Sequence, residues 1–480
     1  MSQDGRAGAF YDRDGKTSEG PAGTFPVFSP IDGRLIADVP ECGEREAARA
    51  ADLASEAFTG WRRAGVYERA GILRRWQELL LKGREQVAQT MSLEMGKPIT
   101  EARGEVDFAA SYIEWFAEEM KRVNGEILPS RKPGQRIMVS RHPVGPVFCV
   151  TPWNLPAAMV TRSAAPALAA GCTIILKPAE QTPLTALLLG SLWDEAGGPP
   201  GTFQVLPCGD PVPASRVLMG DRRIRKLAFT GSHAVGTALY GQAAATMKRI
   251  SLELGGHAAF LVFEDADIEK ATQSVLQSKF TNAGQSCIST NRVFVHRSIL
   301  EEFQQVYAEK VRALRLGDPL DEATNVGPLV NAQALDKVEA HVQDATKNGA
   351  RVLTGGKAAE GLYYEPTVLT DVRPDALIMT EETFGPVVPI VGFDTEEEAV
   401  TAANASQYGL AAYFWTKDVG RVFRMADELE AGVIGVNEGF LGGSPQVPFG
   451  GVKDSGIGRT GGKWGLDEFL NTKYLAVTPA

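Results

Sequence analysis

The apolar positions of this chain fall into two α/β series joined near a glycine pair. Toward the N-terminus, Glu44–Thr59, Tyr67–Lys82, Glu85–Glu94 and Gly104–Lys121 repeat apolar residues at helical spacing, with Ala, Leu, Arg and Glu common among them. They predict a helical N-terminal region. Arg136–Ser140 and Val144–Val150 read as strands. Strand and helix patterns then alternate. Thr173–Leu176 reads as a buried strand, Thr182–Glu195 as an amphipathic helix and Thr202–Leu206 as a strand. Lys226–Thr230 is a strand running into a helix from Ser232, and Lys248–Glu253 and Ala258–Val262 are again strand-like. Such alternation predicts βαβ units and a mostly parallel, doubly wound sheet.

The second series predicts helix Ile268–Thr281, strand Arg292–His296, helices Ser298–Arg315 and Asn331–Asn348, strand Arg351–Leu353, strand Val387–Phe393 and helices Glu396–Ser406 and Asp418–Glu428. The boundary between the series falls near Gly255. Arg136–His142 and Asn471–Pro479 alternate like strands yet belong to neither series. An exposed strand edge invites pairing, so they predict a homodimer or a dimer of dimers, a homotetramer. There is no internal repeat.

At 480 residues the chain should hold two or three domains. A net charge of −10 argues against the basic face that nucleic acid requires. Cys42, Cys149, Cys172, Cys208 and Cys287 are scattered, with no C-x-x-C pair. That pattern suits neither a disulfide framework nor a metal site and fits a reducing cytoplasm. Residues 1–22 have no apolar core of a secretory signal and read as a disordered leader. The longest apolar stretch, near Ala164–Leu176, is broken by Pro166 and Gly171 and falls short of a membrane span.

The candidate chemistry begins at Phe280-Thr281-Asn282-Ala283-Gly284-Gln285-Ser286-Cys287. A lone cysteine is most often a small buried hydrophobe, but here a polar, glycine-containing turn presents the thiol. Upstream, Leu252-Glu253-Leu254-Gly255-Gly256 sets a carboxylate just ahead of two glycines, where backbone can approach a ligand closely. A thiol nucleophile with a separate carboxylate base suits a covalent thioester and a later hydrolysis. The five histidines sit in no motif that supports a Cys–His hydrolase. Asn154, in Thr151-Pro152-Trp153-Asn154-Leu155-Pro156, is placed either to cap a helix or to donate to an oxyanion. Lys177-Pro178-Ala179-Glu180 follows a strand, where α/β sheets bind nucleotides. Gly231-Ser232 opens a helix, where free N–H groups favour phosphate. Glu381-Glu382-Thr383-Phe384 is an acidic loop before a strand. Gly456–Gly461 spells G-x-G-x-x-G but follows no predicted strand, so it reads as a chance match.

In this order, over roughly Asn154 to Gly456, the motifs resemble the aldehyde dehydrogenase superfamily. The resemblance implies an α/β fold with a Rossmann-like doubly wound NAD-binding domain (23–124 and 144–255), an α/β catalytic domain (256–467) and a small β oligomerisation extension (125–143 and 468–480). It implies Cys287 as nucleophile, Glu253 as general base and Asn154 with the Cys287 N–H as oxyanion donors, with no metal. Trp153, Lys177, Glu180, Gly231, Ser232, Glu382 and Phe384 would bind the cofactor. A carboxylate at Glu180 favours NAD, with NADP possible.

Arg162, on the presumed helix after Asn154, together with Ile113–Glu119, resembles the succinate-semialdehyde and α-ketoglutarate-semialdehyde branch. A guanidinium there would clamp a substrate carboxylate bidentately; otherwise it would form a surface salt bridge. That branch commonly carries a second arginine where Thr281 stands here, and Ser444 would supply a weaker contact. The alternatives are a general aldehyde dehydrogenase, a CoA-acylating relative, which would lack Glu253, and a catalytically silent protein on the same fold.

Overall fold

The computed structural model describes residues 23–441 and 444–479. The expected leader at 1–22 lies outside the described residues. The antiparallel pair β1 (Thr24–Phe28) and β2 (Leu35–Pro40), unforeseen in the sequence, precedes helices α1 (Glu44–Trp61), α2 (Val66–Lys82), α3 (Arg84–Met95) and α4 (Ile99–Glu119). The apolar faces of α2, α3 and α4, including Trp76, Leu80, Met91, Ile113 and Phe116, join one core with the next layer, while Ala47, Ala50, Ala51 and Ala54 of α1 pack into another. After β3 (Glu126–Leu128) and β4 (Arg136–Pro143) comes the first α/β series. It comprises β5 (Val147–Val150), α5 (Ala158–Ala170), β6 (Ile174–Lys177), α6 (Pro183–Glu195), β7 (Phe203–Val205), α7 (Pro211–Gly220), β8 (Lys226–Thr230), α8 (His233–Ala244) and β9 (Arg249–Glu253).

These strands are parallel in the order β9-β8-β5-β6-β7. The order reverses between β5 and β8, where sheets of this type open a crevice. Strands β5 and β6 are buried almost throughout because helices cover both faces. Helix α5 is buried at every position and runs through Pro166.

Buried acids of the N-terminal layer cap this sheet's helices. Glu94 accepts from the amides of Leu184 (2.8 Å) and Thr185 (2.9 Å) at the start of α6. Glu105 accepts from Ala157 (2.9 Å) and Ala158 (3.1 Å) at the start of α5. Each carboxylate satisfies N–H groups without an intrahelical partner and meets the positive end of the helix dipole. Asn154 is therefore not the cap of α5.

The second series is β10 (Ala258–Val262), α9 (Ile268–Phe280), β11 (Thr290–His296), α10 (Leu300–Arg312), α11 (Ala332–Lys347), β12 (Arg351–Thr354), β13 (Thr367–Thr370), α12 (Leu377–Thr380), β14 (Val387–Phe393), α13 (Glu396–Asn404), β15 (Tyr408–Gly409), β16 (Ala411–Trp415), α14 (Val419–Glu428) and β17 (Val433–Val436). It builds a seven-stranded sheet, β12-β13-β14-β11-β10-β16-β17, in which only β12 runs antiparallel.

The chain then returns through β18 (Val452–Lys453), β19 (Gly456–Ile457), α15 (Gly462–Asp467) and β20 (Leu470–Val477). Strand β19 pairs antiparallel with β9, setting Gly456 opposite Glu253. The literal G-x-G-x-x-G thus begins as an edge strand of the first sheet. Strand β20 pairs with β4 along its length, from Leu470↔Pro143 to Val477↔Arg136, with β3 beyond. The two strands that need partners find each other within the chain. The outer edge of β20 carries exposed Tyr474 and Leu475 and has no strand beside it among the described residues. No helix among those residues is long and apolar enough to cross a membrane.

Candidate active site

The sequence motifs meet along a seam between the two sheets. The first sheet contributes its carboxyl edge: Trp153 and Asn154 follow β5, Lys177 ends β6 with Glu180 just beyond, Gly231 and Ser232 follow β8, and Glu253 ends β9. The second sheet contributes its amino edge: Gly256 precedes β10, Cys287 precedes β11, and Glu382 and Phe384 precede β14.

Three glycines allow these segments to touch. A β-carbon on Gly255 would lie 2.7 Å from Glu382 Oε2, and one on Gly284 would lie 2.2 Å from the Gly385 carbonyl. The third, Gly256, passes directly against the Cys287 backbone. The Gly256 amide donates to Glu382 Oε1 at 2.9 Å.

The turn before Cys287 places Asn282, Ala283 and Gly284 in succession at φ 57°, 54° and 74°. A left-handed conformation costs a residue with a side chain roughly 1–2 kcal/mol, so the turn needs external support. The Asn282 side-chain amide donates to the carbonyls of Asn154 (3.0 Å) and Gln285 (3.1 Å). Buried Gln285 donates back to the Asn282 carbonyl (3.2 Å) and accepts from the Val330 amide (2.9 Å). Asn154 Nδ2 donates to the Gln285 carbonyl at 3.0 Å, which fixes that side chain beside the cysteine turn.

Cys287 is partly exposed, whereas the other four cysteines are buried. Burial pushes its thiol up to about 12; the Glu382 and Glu253 charges add to this and Arg162 opposes it. Glu253 is 5% exposed, and its Oε2 has no hydrogen-bond partner among the described residues. Burial raises it to about 8 against the pull of Arg162 and Arg459. Thr460 Oγ1 stands 3.5 Å from its other oxygen.

Lys177 Nζ lies 3.2 Å from Glu180 Oε2. Burial works against the Glu180 carboxylate, but Lys177 and local hydrogen bonds hold it below its ordinary value. Ser232 caps α8, accepting from the Val235 amide, and Gly231 donates to the Glu253 carbonyl at 3.0 Å. Phe384, at φ 55°, packs edge-on against Trp153 with ring centres 5.4 Å apart. A carboxylate–lysine pair, a capped helix N-terminus and an aromatic pair at a strand-order reversal fit a dinucleotide.

Among the described residues Arg162 forms no salt bridge, and it is not at the surface. It is 6% exposed on α5, with its guanidinium 3.9 Å from the Phe449 ring centre and 5.8 Å from that of Tyr112. Its Nε and Nη2 have no hydrogen-bond partner among the described residues. It shares a cavity with Glu253, Arg459 and Thr460. Thr281 Oγ1 turns back to donate to the Gln277 carbonyl (2.7 Å). Ser444 is half-buried at the start of the segment that leads to Phe449.

Sequence reasoning missed several residues that frame the site. Ser455 Oγ donates to the Gly255 carbonyl (2.8 Å) and accepts from the Gly409 amide (2.9 Å). Lys97, Glu101 and Glu105 meet the backbones of Asn154, Asn282 and the start of α5. Of the three, only Glu105 falls within a helix that the sequence predicts, Gly104–Lys121, where it is one charge among several.

Comparison with known proteins agrees with this architecture. The profile of the aldehyde dehydrogenase family matches residues 17–475. The chain is 46% identical to a mitochondrial succinate-semialdehyde dehydrogenase of Rattus norvegicus over 94% of its own length and 87% of the relative's. It is 44% identical to a glutarate-semialdehyde dehydrogenase of Pseudomonas putida, covering 95% of this chain and 94% of that one. The crystal structure of an E. coli NADP-dependent enzyme superposes with a TM-score of 0.96 at 42% identity, covering 99% of this chain and all of the other. With its two sheets, its seam and its motifs in order, the chain belongs to the aldehyde dehydrogenase family, oxidoreductases that act on aldehydes with NAD or NADP.

Proposed function

We propose that the chain oxidises a carboxylated semialdehyde of the succinate-semialdehyde class to the dicarboxylic acid, with NAD as the preferred acceptor. The observation that carries this reading is Arg162. A buried guanidinium with two unpartnered nitrogens is costly unless an anion completes it. A substrate carboxylate supplies that anion bidentately. The names of the rat and Pseudomonas relatives support the same substrate class.

The Cys287 thiol gives its proton to solvent water and its sulfur bonds to the aldehyde carbon, leaving an alkoxide. The Cys287 N–H and the Asn154 amide, whose other hydrogen is committed to Gln285, stabilise that oxyanion. Collapse of the alkoxide breaks the carbon–hydrogen bond and leaves a thioester on Cys287; a nicotinamide held at this site would supply the acceptor for the departing hydride. Glu253 then takes a proton from water as the oxygen adds to the thioester. The carbon–sulfur bond breaks, and the acid departs with the thiolate restored. A carboxylate held near neutrality by burial is suited to this task. Lys177 and Glu180 would hold the adenosine ribose, Gly231 and Ser232 the pyrophosphate, and Glu382 with Phe384 and Trp153 the nicotinamide end.

The carboxylate at Glu253 separates this reading from CoA-dependent acyl transfer. Thr281 favours a second reading, a general aldehyde dehydrogenase, because it places no guanidinium where the semialdehyde branch carries a second one. The scattered free cysteines support a reducing cytoplasm.

Arg162→Leu tests the proposal. An unpaired, desolvated carboxylate costs on the order of 2–5 kcal/mol, or roughly thirtyfold and more in kcat/KM. The variant should lose succinate semialdehyde oxidation by that factor and retain hexanal oxidation. Equal losses on both substrates would make Arg162 structural and leave the general reading.

A further inference from the structure

Two elements distant in sequence flank the thiol: Asn154, following β5, and the left-handed turn Asn282–Gly284. Both are fastened to a third, which carries none of the chemistry. Lys97 stands just before α4, and Glu101 and Glu105 lie four residues apart on one face of that helix. Lys97 Nζ donates to the Asn154 carbonyl at 2.9 Å and pairs with Glu105. The other oxygen of Glu105 holds the first amides of α5. Glu101 Oε2 accepts from the Asn282 amide at 2.7 Å. The Asn154 carbonyl also accepts from the Asn282 side chain at 3.0 Å, which closes the frame.

We propose that Lys97, Glu101 and Glu105 are positioning residues that hold Asn154 and the cysteine turn at the separation the oxyanion requires. Several features distinguish this stripe from ordinary core charge. Lys97 is 2% exposed and Glu105 5%, and each meets a backbone group of the site or of its supporting helix rather than only one another. Glu101 braces the amide of a residue whose backbone conformation is intrinsically unfavourable. The three side chains span both sides of the seam, because α4 packs on α5 of the first sheet while Asn282 belongs to the loop entering the second.

The proposal rests on Asn154 acting as an oxyanion donor, so the experiment includes Asn154→Ala. The readout is the rate of the NADH burst in stopped flow with succinate semialdehyde, beside NAD affinity and the steady rate that follows the burst. Glu101→Leu should slow the burst about tenfold or more, the scale expected when reacting groups are misplaced by an ångström or less. NAD affinity should stay near wild type. Glu101→Gln keeps an acceptor for the Asn282 amide and should restore most of the burst. Glu101→Asp keeps the charge but shortens the reach; it should slow the burst severalfold even if the leucine variant does not fold. If Asn154→Ala slows the burst and both Glu101→Leu and Glu101→Asp leave it unchanged, the positioning role is overturned. A burst loss matched by an equal loss of NAD affinity overturns it too, because the effect is then general to the fold. If Asn154→Ala itself leaves the burst unchanged, the oxyanion reading fails and the positioning role with it.

Discussion

The Cys287 carbonyl oxygen lies 2.3 Å from the point where a β-carbon on Gly256 would stand. The segment carrying Glu253 and the turn carrying the thiol therefore approach within a distance that only glycine permits. Gly256→Ala should push the turn away. Overpacking of this kind costs typically about 1–3 kcal/mol. The expected result is a lower Tm together with a slowed NADH burst. A variant with wild-type burst and Tm would show that the turn yields freely.

Glu253→Gln should separate the two halves of the reaction. Sulfur addition and hydride departure do not need the base, so a rapid burst should remain, followed by turnover slowed about a hundredfold or more, as for loss of a general base. In the wild-type protein, burial lifts Glu253 to about 8. The base works only when ionised, so deacylation should rise as pH increases through that value and level off above it. The glutamine variant should lose this rise. Loss of the burst itself would place Glu253 before hydride transfer.

Cys287→Ala should reduce NADH formation at least about a thousandfold, as removal of a covalent nucleophile does, while NAD still binds. Fluorescence titration of the dinucleotide beside the assay checks both halves. Substantial residual activity would disqualify the thiol.

Glu180→Ser should shift preference toward NADP. The carboxylate, held ionised beside Lys177, repels a 2′-phosphate, and its removal leaves the lysine free to receive one. The ratio of kcat/KM for the two dinucleotides is the measurement. An unchanged ratio would mean that Glu180 does not face the ribose.

The outer edge of β20, with Tyr474 and Leu475 exposed, should be covered by another copy of the chain. Light scattering at micromolar concentration should give a dimer or a dimer of dimers, and a monomer would refute the pairing.

What the sequence made legible follows from how local each cause is. Lys226–Thr230, Ala258–Val262 and Val387–Phe393 were anticipated to the residue because apolar runs and flanking breakers define them. Strands Thr367–Thr370, Ala411–Trp415 and Val433–Val436 were not. Ala411–Trp415 is buried on both faces and shows no alternation, so its period cannot distinguish it from a helix segment. The motif residues Asn154, Glu253, Cys287 and Glu382 were legible because each sits within three residues of a glycine or proline. Glu105 was not, since its partners at Ala157 and Ala158 lie some fifty residues away and only the fold brings them together. The same applies to the G-x-G-x-x-G run: its pairing with Glu253 is set by a strand two hundred residues earlier.

The seam between a carboxyl edge and an amino edge divides labour in a way that can be inherited separately. The residues proposed for the dinucleotide's adenosine half, Lys177, Glu180, Gly231 and Ser232, all hang from the first sheet, while the thiol turn hangs from the second. A lineage can therefore exchange one redox currency for another on one bank without disturbing the acyl chemistry on the other. Remodelling Thr281 or Ser444 for a new aldehyde likewise leaves the dinucleotide grip untouched. Glu253, at the last residue before the chain crosses from one sheet to the other, is the point where both inheritances must agree.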